Sequence, residues 1–318
     1  MSVLKTDYKD DIINSEFAED RKYVEVMNAD GSHSYSDVTP YTQEGDEYGA
    51  KQINHENTHT NYAIEAADCL YNGADLTVRF AEEIAGYANA WKWIKARIEA
   101  ANFDGLHIGD YIPMYMGDVL MKMQIAGIDT YYKALDVRQG HHIDWISESL
   151  YPDTVKWGTT NNNGISIDEA PFMSSNVKTF LDGLEGLLPT EVKEIISIKQ
   201  FLLEGRYSAS GVLTDSTSWR WRKLGKLWLP SEYEIFGSCV WGTPKWSLGV
   251  TVQYPLFANS MKNRIKGVDG DNERYHWWLL TAASGMSDAA CVVAVTGHGT
   301  YAPITSEYRV PICFRISE

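Results

Sequence analysis

Apolar and polar positions alternate weakly at two places near the start of the chain. Tyr23-Val24-Glu25-Val26 and Ser34-Tyr35-Ser36-Asp37-Val38 flank Asn28-Ala29-Asp30-Gly31, whose residue types favour a tight turn. Two short strands around that turn are predicted. The rest of residues 1–57 is polar, rich in Asp, Asn, Ser and Thr. It cannot bury much of its own surface, so this arm is expected to order against a partner.

From residue 58 the period changes. Phe80, Ile84, Tyr87, Trp91, Ile94, Ile98 and Ala101 recur at spacings of four and three, which draws one apolar stripe down a helix. Ile64, Ala67, Tyr71 and Ala74 make a weaker stripe upstream, with Gly73 placed to break or kink the run. Such a stripe packs either on its own domain or on symmetry mates, and its place between a polar arm and a globular region favours the second. The expectation is a helical, coiled-coil stalk over 58–102, with Phe80, Ile84, Tyr87, Trp91, Ile94 and Ile98 at a three-fold interface.

Asn102-Phe103-Asp104-Gly105 ends the helix, and strand patterns follow over Leu106 to Tyr111, Val119 to Ile128 and Ile143 to Ile146. Residues 159–171 form a polar loop. Helices are predicted over Ser174 to Leu187 and Thr190 to Glu204, with Pro189 placed to start the second. Ser231-Glu232-Tyr233-Glu234 has the S-x-x-E spacing of a capping box, so a short helix starts there. Trp277 to Thr281, Ala290 to Val295 and Tyr308 to Ile316 read as closing strands. No internal repeat of useful period is found. The reading is α+β, with a globular domain over 103–318.

Composition narrows the partners. The formal net charge of −15 argues against a nucleic-acid backbone or an anionic membrane surface, both of which need a basic patch. No apolar run reaches the length that spans a bilayer. The polar opening MSVLKTDYKDD carries no signal-peptide pattern, so a soluble protein that takes no signal-peptide route is expected. Seven of the 11 Trp fall between Trp219 and Trp278. Clustered aromatics form either an interlocked core or an exposed face that stacks on sugars and peptides. Cys69, Cys239, Cys291 and Cys313 show no C-x-x-C spacing, and Cys291 and Cys313 lie in apolar runs that suit buried free thiols.

Candidate chemistry is sparse. His55-Glu56-Asn57-Thr58-His59 has the letters of H-E-x-x-H, in which two His on one helical face bind zinc and the Glu acts as base. A buried active-site helix needs apolar residues where this chain has Asn57, Thr60 and Asn61. The stretch reads as a solvated helix start. His141 and His142 adjoin a strand, where neighbours point to opposite faces and seldom share one ion. Asp269 to Glu273 alternates carboxylates but lacks the glycine and terminal Glu of a calcium loop. There is no G-x-S-x-G elbow, no G-x-G-x-x-G fingerprint and no Walker loop. No catalytic residue, metal or cofactor is assigned.

Leu227 to Gly237 (LWLPSEYEIFG) resembles the R-L-P-T-E-x-E-W segment of the formylglycine-generating-enzyme branch of the C-type-lectin fold. Trp277 to Ser284 (WWLLTAAS) is similar to the Y-W-S-S-T strand of that fold, and Tyr308 to Phe314 to its closing strand. Over nearly the whole chain, the segments Leu4 to Asp11, Tyr41 to Asp46, Ile108 to Tyr111, Ile125 to Tyr132 and His141-His142 resemble virion structural proteins of tailed phages and prophages of gut Firmicutes. That resemblance implies a virion protein, made in the bacterial cytoplasm. Residues 1–57 would attach it to other virion proteins, and a homotrimeric stalk would carry a lectin-like domain that binds a host cell-surface glycan or protein. Cys291 and Cys313 do not match the enzyme branch's paired-cysteine motif, so its oxidative chemistry is not implied. Nor are the sugar-calcium motifs of animal lectins present. In this fold loops build the ligand face, which points to Trp241, Trp246, Thr281, Ser284, Ser287, Tyr301 and Thr305. The rival functions are a capsid or baseplate decoration that binds another virion protein, and a cell-wall-acting enzyme.

Overall fold

The computed structural model describes residues 12–13, 22–43, 50–69, 73–133, 139–159, 170–204, 219–243 and 252–318. Expectations for residues 1–11, most of the 159–171 loop and Trp246 fall outside them. The chain divides into two units, Met1–Asp68 and Cys69–Glu318.

In the first unit β1 (Ile12–Ile13), β2 (Tyr23–Met27), β3 (His33–Asp37) and β4 (Tyr41–Gln43) form two antiparallel pairs, β1 with β4 and β2 with β3. The β2–β3 hairpin is the one its alternation predicts. Asp30 Oδ1 accepts the Ser32 N–H at 2.9 Å, and Gly31 takes the left-handed conformation (φ 80°) that closes the turn. All ten residues of the two strands are exposed. A helix, α1 (Ala50–Cys69), follows. Among the described residues of this unit no hydrophobic side chain is buried; the buried ones are Thr39 and Asn61.

The second unit has a real core. Its elements begin with α2 (Leu76–Arg79), α3 (Ala81–Ile84) and α4 (Ala90–Glu99), then β5 (Tyr111–Met116), β6 (Val119–Ile128), β7 (His142–Leu150) and β8 (Val155–Lys156). There follow α5 (Asn176–Leu184), α6 (Thr190–Lys193), β9 (Ile196–Ser197), β10 (Gln200–Leu203), β11 (Arg220–Lys223), α7 (Glu232–Phe236) and α8 (Pro255–Asn259). β12 (Trp277–Ala282), β13 (Ala289–Val293), β14 (Gly299–Pro303), β15 (Glu307–Tyr308) and β16 (Pro311–Ser317) complete it. An antiparallel five-stranded sheet runs β5-β6-β7-β16-β9, and a three-stranded one runs β12-β13-β14. The pairs β10-β11 and β8-β15 lie beside them. The architecture is α+β.

Strand position explains strand composition. All seven residues of β16 are buried, as a central strand covered on both faces requires. β5 is an edge: Ile112, Met114 and Met116 point inward while Tyr115 is exposed. An edge also accommodates Pro113, which has no N–H to give a neighbour. Trp93, Trp145, Trp157, Trp228, Trp277 and Trp278 are all less than 2% exposed, so most of the tryptophan wealth is core. Among the described residues, no helix is long and apolar enough to cross a membrane.

Three expectations are corrected. The continuous stalk over 58–102 is broken at Gly73 to Asp75 and again at Ala85 to Asn89, where Asp75 and Asn89 cap new helices through Thr77 N–H and Lys92 N–H. A Cβ on Gly73 would lie 2.0 Å from the Gly109 carbonyl oxygen, so the chain turns tightly against its own domain there. The apolar stripe packs in the core of one chain. Trp91 is 5% exposed, Ile94 and Ile98 are 0%, and the Trp91 ring meets Trp145 on β7 and Phe314 on β16 at 5.3 and 5.7 Å. Phe80 and Ile84 are partly buried against the same core, and only Tyr87 of the six is exposed. Five of the six side chains are spent inside the subunit, so the stripe cannot form a three-fold seam.

Leu106 to Asp110 is a turn and not a strand, because the Asp110 carboxylate accepts the His107 and Ala74 N–H groups and folds the chain back. The helix expected over Thr190 to Glu204 lasts four residues. Ile196 then pairs with β16, and Phe201, Leu202 and Leu203 are all buried in β10, as a strand covered on both faces allows. The predicted helix over 174–187 is present as α5 followed by a 3-10 turn, with Ser175 as its cap.

Candidate ligand-binding site

The capping box forms as its spacing predicts. Ser231 Oγ accepts the Glu234 N–H at 3.3 Å, Glu234 Oε2 accepts the Ser231 N–H at 2.8 Å, and Gly237 ends the helix in the left-handed conformation. This short turn aims two fully buried carboxylates at different partners.

Glu234 belongs to the inner core. It pairs with Lys199 and accepts the Tyr131 hydroxyl at 2.8 Å. Lys199 Nζ donates to the Tyr254 hydroxyl at 2.8 Å, which donates to Asp144 Oδ2 at 2.9 Å. Arg315 grips both Asp144 oxygens at 2.7 Å. Two cations balance two anions with no exposure. Burial alone would raise the Asp144 pKa, but the Arg315 guanidinium more than offsets it and holds that carboxyl well below the usual range. Burial pulls Lys199 down, and Glu234 and Asp144 oppose this in part. The four charged groups are sealed from solvent. The network fastens α7 and α8 to β7 and β16.

Glu232 faces the other way. Its carboxylate accepts the backbone N–H groups of Val240 (3.1 Å), Trp241 (3.0 Å) and Gly242 (2.8 Å), so one buried anion gathers a whole loop. The Cys239 thiol lies 3.6 Å from Glu232 Oε2. Burial first, then the neighbouring Glu232 charge, push the Cys291 thiol well above its usual range. A Cβ on Gly242 would stand 2.4 Å from Thr281 Cγ2, so only glycine lets the loop lie this close to β12.

The loop presents Trp241, 41% exposed, beside Tyr301 of β14, 39% exposed. Their ring centroids are 4.7 Å apart at an interplanar angle of 66°, an open aromatic corner. Trp241 Nε1 donates to the Gly299 carbonyl at 3.2 Å, and the Trp241 carbonyl accepts the Ser284 N–H at 2.8 Å. Thr243 Oγ1 donates to Ser284 Oγ at 3.3 Å, and Thr281 Oγ1 accepts the Glu232 N–H at 3.2 Å. Trp241, Thr281, Ser284 and Tyr301 are thus brought together. Ser287 and Thr305 make none of these hydrogen bonds. They flank the Ile304 N–H to Asp288 carbonyl bond, at the opposite end of the β13–β14 pair from its tip.

Beside the corner, Phe201, Leu203, Trp219, Leu280, Ala282 and Phe172 line a small apolar cleft. Thr281 and Thr243 belong to both cleft and corner. Glu232, Gly242 and the cleft walls escaped the sequence reading. The capping box was visible, but nothing in the string links Glu232 to three amides eight to ten residues later.

The other motifs occupy ordinary places. His55 and His59 are exposed on α1 with rings 4.5 Å apart, and among the described residues no group of three His, Cys, Asp or Glu could hold a metal ion. His141 Nδ1 meets Asp129 at 2.6 Å, while His142 is buried and accepts the Tyr131 N–H at 3.1 Å. Asp271 accepts the Glu273 N–H and the Tyr275 hydroxyl, an acidic turn closed on itself. Cys291 and Cys313 are buried free thiols.

A family described as a domain of unknown function (DUF6273) matches residues 159–318, half of the chain. The chain belongs to this family. No curated protein matches it, and no solved structure matches it. The matched region holds α7, the Trp241 loop and β12 to β14, the whole of the corner.

Proposed function

We propose that this protein is a phage virion component that binds the host cell surface, with a C-type-lectin-like domain as its binding module and no catalytic role. The observation that carries the reading is the exposed Trp241–Tyr301 corner, mounted on a rigid sheet and fixed from below by the buried Glu232 carboxylate. Large exposed rings on an otherwise well-packed domain are what recognition sites use, and a loop pinned by three hydrogen bonds loses little freedom when a ligand arrives. Residues 22–43, with every side chain of β2 and β3 exposed and no buried apolar group among those described, suit an arm that docks on another virion protein.

The test is a virion carrying Trp241→Ala and Tyr301→Ala. Particles should assemble in normal number by electron microscopy and lose adsorption to host cells. A decoration role predicts the reverse, defective particles with adsorption intact in those that form. Normal adsorption by well-formed variant particles would overturn the reading.

A further inference from the structure

The exposed corner also limits what it can bind. The Trp241 indole N–H is already committed to the Gly299 carbonyl at 3.2 Å, so the ring offers a ligand its carbon surface and no donor. Tyr301 stands across it at 66° and brings a hydroxyl with no hydrogen-bond partner among the described residues. The Thr243 and Ser284 hydroxyls lie next to the Trp241 backbone. The corner therefore joins an apolar surface to a rim of neutral hydroxyls. That pairing matches a ring whose one face is C–H and whose edge is O–H.

Size argues against a protein partner. Rings of roughly 150–250 Å² each, four-tenths exposed, offer about 200 Å², whereas a stable protein interface covers about 800 Å² per partner. Among the described residues of the loop, Val240 is the other exposed apolar side chain, at 45%. Charge argues against an anionic polymer. The carboxylate of Glu232 lies directly under the loop, among the described residues no Lys or Arg side chain is bonded to the corner, and the chain carries a formal charge of −15.

We propose that the Trp241–Tyr301 corner is a platform for an uncharged sugar ring of a host surface glycan, stacked on the indole face and hydrogen-bonded at its edge by Tyr301, Thr243 and Ser284. This rests on the host-binding reading and goes beyond it by choosing the ligand class. Single-site binding would be weak and would rely on many copies per particle for useful attachment.

The experiment immobilises maltohexaose, cellohexaose, chitohexaose and a rhamnan beside two anionic polymers, polygalacturonate and poly(glycerol phosphate), and measures binding of the full chain. At least one neutral glycan should bind. Trp241→Ala should weaken it at least about tenfold, a loss in the range of a binding hot spot, and Trp241→Phe should retain part of it. Tyr301→Phe removes only the hydroxyl and should cost a smaller factor, while near-ultraviolet circular dichroism shows each variant folded. Binding to the anionic polymers alone, to none of the six, or equally well by Trp241→Ala would overturn the proposal. A parallel adsorption assay uses whole gut Firmicutes cells treated with periodate or with protease. Trp241-dependent adsorption that survives periodate and is destroyed by protease removes the sugar and leaves host binding standing. Adsorption indifferent to Trp241 removes both.

Discussion

At the residue scale, Glu232 has the most consequence for its size. A fully buried carboxylate that accepts three backbone N–H groups supplies what no neutral side chain of similar length can. Glu232→Gln keeps one oxygen acceptor but turns an amide NH₂ toward donors, leaving at least one buried N–H unpaired. The expected cost is about 1–3 kcal/mol, together with loosening of the Trp241 loop. Urea unfolding should show the loss in stability, and limited proteolysis should show a new cut near residues 239–243. An unchanged midpoint and an uncut loop would mean that the three hydrogen bonds do not hold the corner. Trp241, Thr281, Ser284 and Tyr301 were legible because loops on a sheet carry small and aromatic residues freely. Ser287 and Thr305 share that chemistry but make none of the corner's hydrogen bonds, because composition does not tell which side chains of a loop converge.

The same limit governs the elements. A 4-3 apolar stripe reports that a helix has one buried face, and says nothing about whose surface buries it. In α4 the answer is β7 and β16 of the same chain. Asn89, an N-cap by residue type, and Gly73, a break already visible in the string, were the local hints that the helix restarts here. Alternation read β6 well, and capping chemistry read α7. The helix predicted over 190–204 failed because Phe201 to Leu203 is a continuous apolar run, which suits a strand covered on both faces as well as a helix. Trp91→Ala tests the corrected packing. It should destabilise the protein by about 3–5 kcal/mol, as removal of a buried aromatic does, and leave the mass in solution unchanged. Thermal melts and light scattering separate these effects. A change of oligomeric state with stability preserved would restore the interface reading.

For the whole molecule, the family match and the folding unit have different boundaries. The match starts at residue 159, yet β16 pairs along its length with β7, which ends at Leu150. Arg315 on β16 finds its carboxylate in Asp144 on β7. Residues 159–318 alone would leave that guanidinium buried without its partner, a loss of about 3–5 kcal/mol, besides stripping a central strand of its ladder. Residues 69–318 keep β5 to β7, α4 and the complete charge network. Residues 1–68 bury no hydrophobic side chain among those described, and an isolated two-stranded hairpin is marginal in water. Three fragments should therefore behave differently. Residues 69–318 should unfold in one cooperative transition and retain ligand binding. Residues 159–318 should be aggregated or molten, with near-ultraviolet dichroism lost, and residues 1–68 should show no dispersed amide spectrum until a partner is added. A well-folded 159–318 fragment would show that the family region closes its own core and that β5 to β7 are an accessory. A well-dispersed spectrum from 1–68 alone would remove the docking role assigned to the arm.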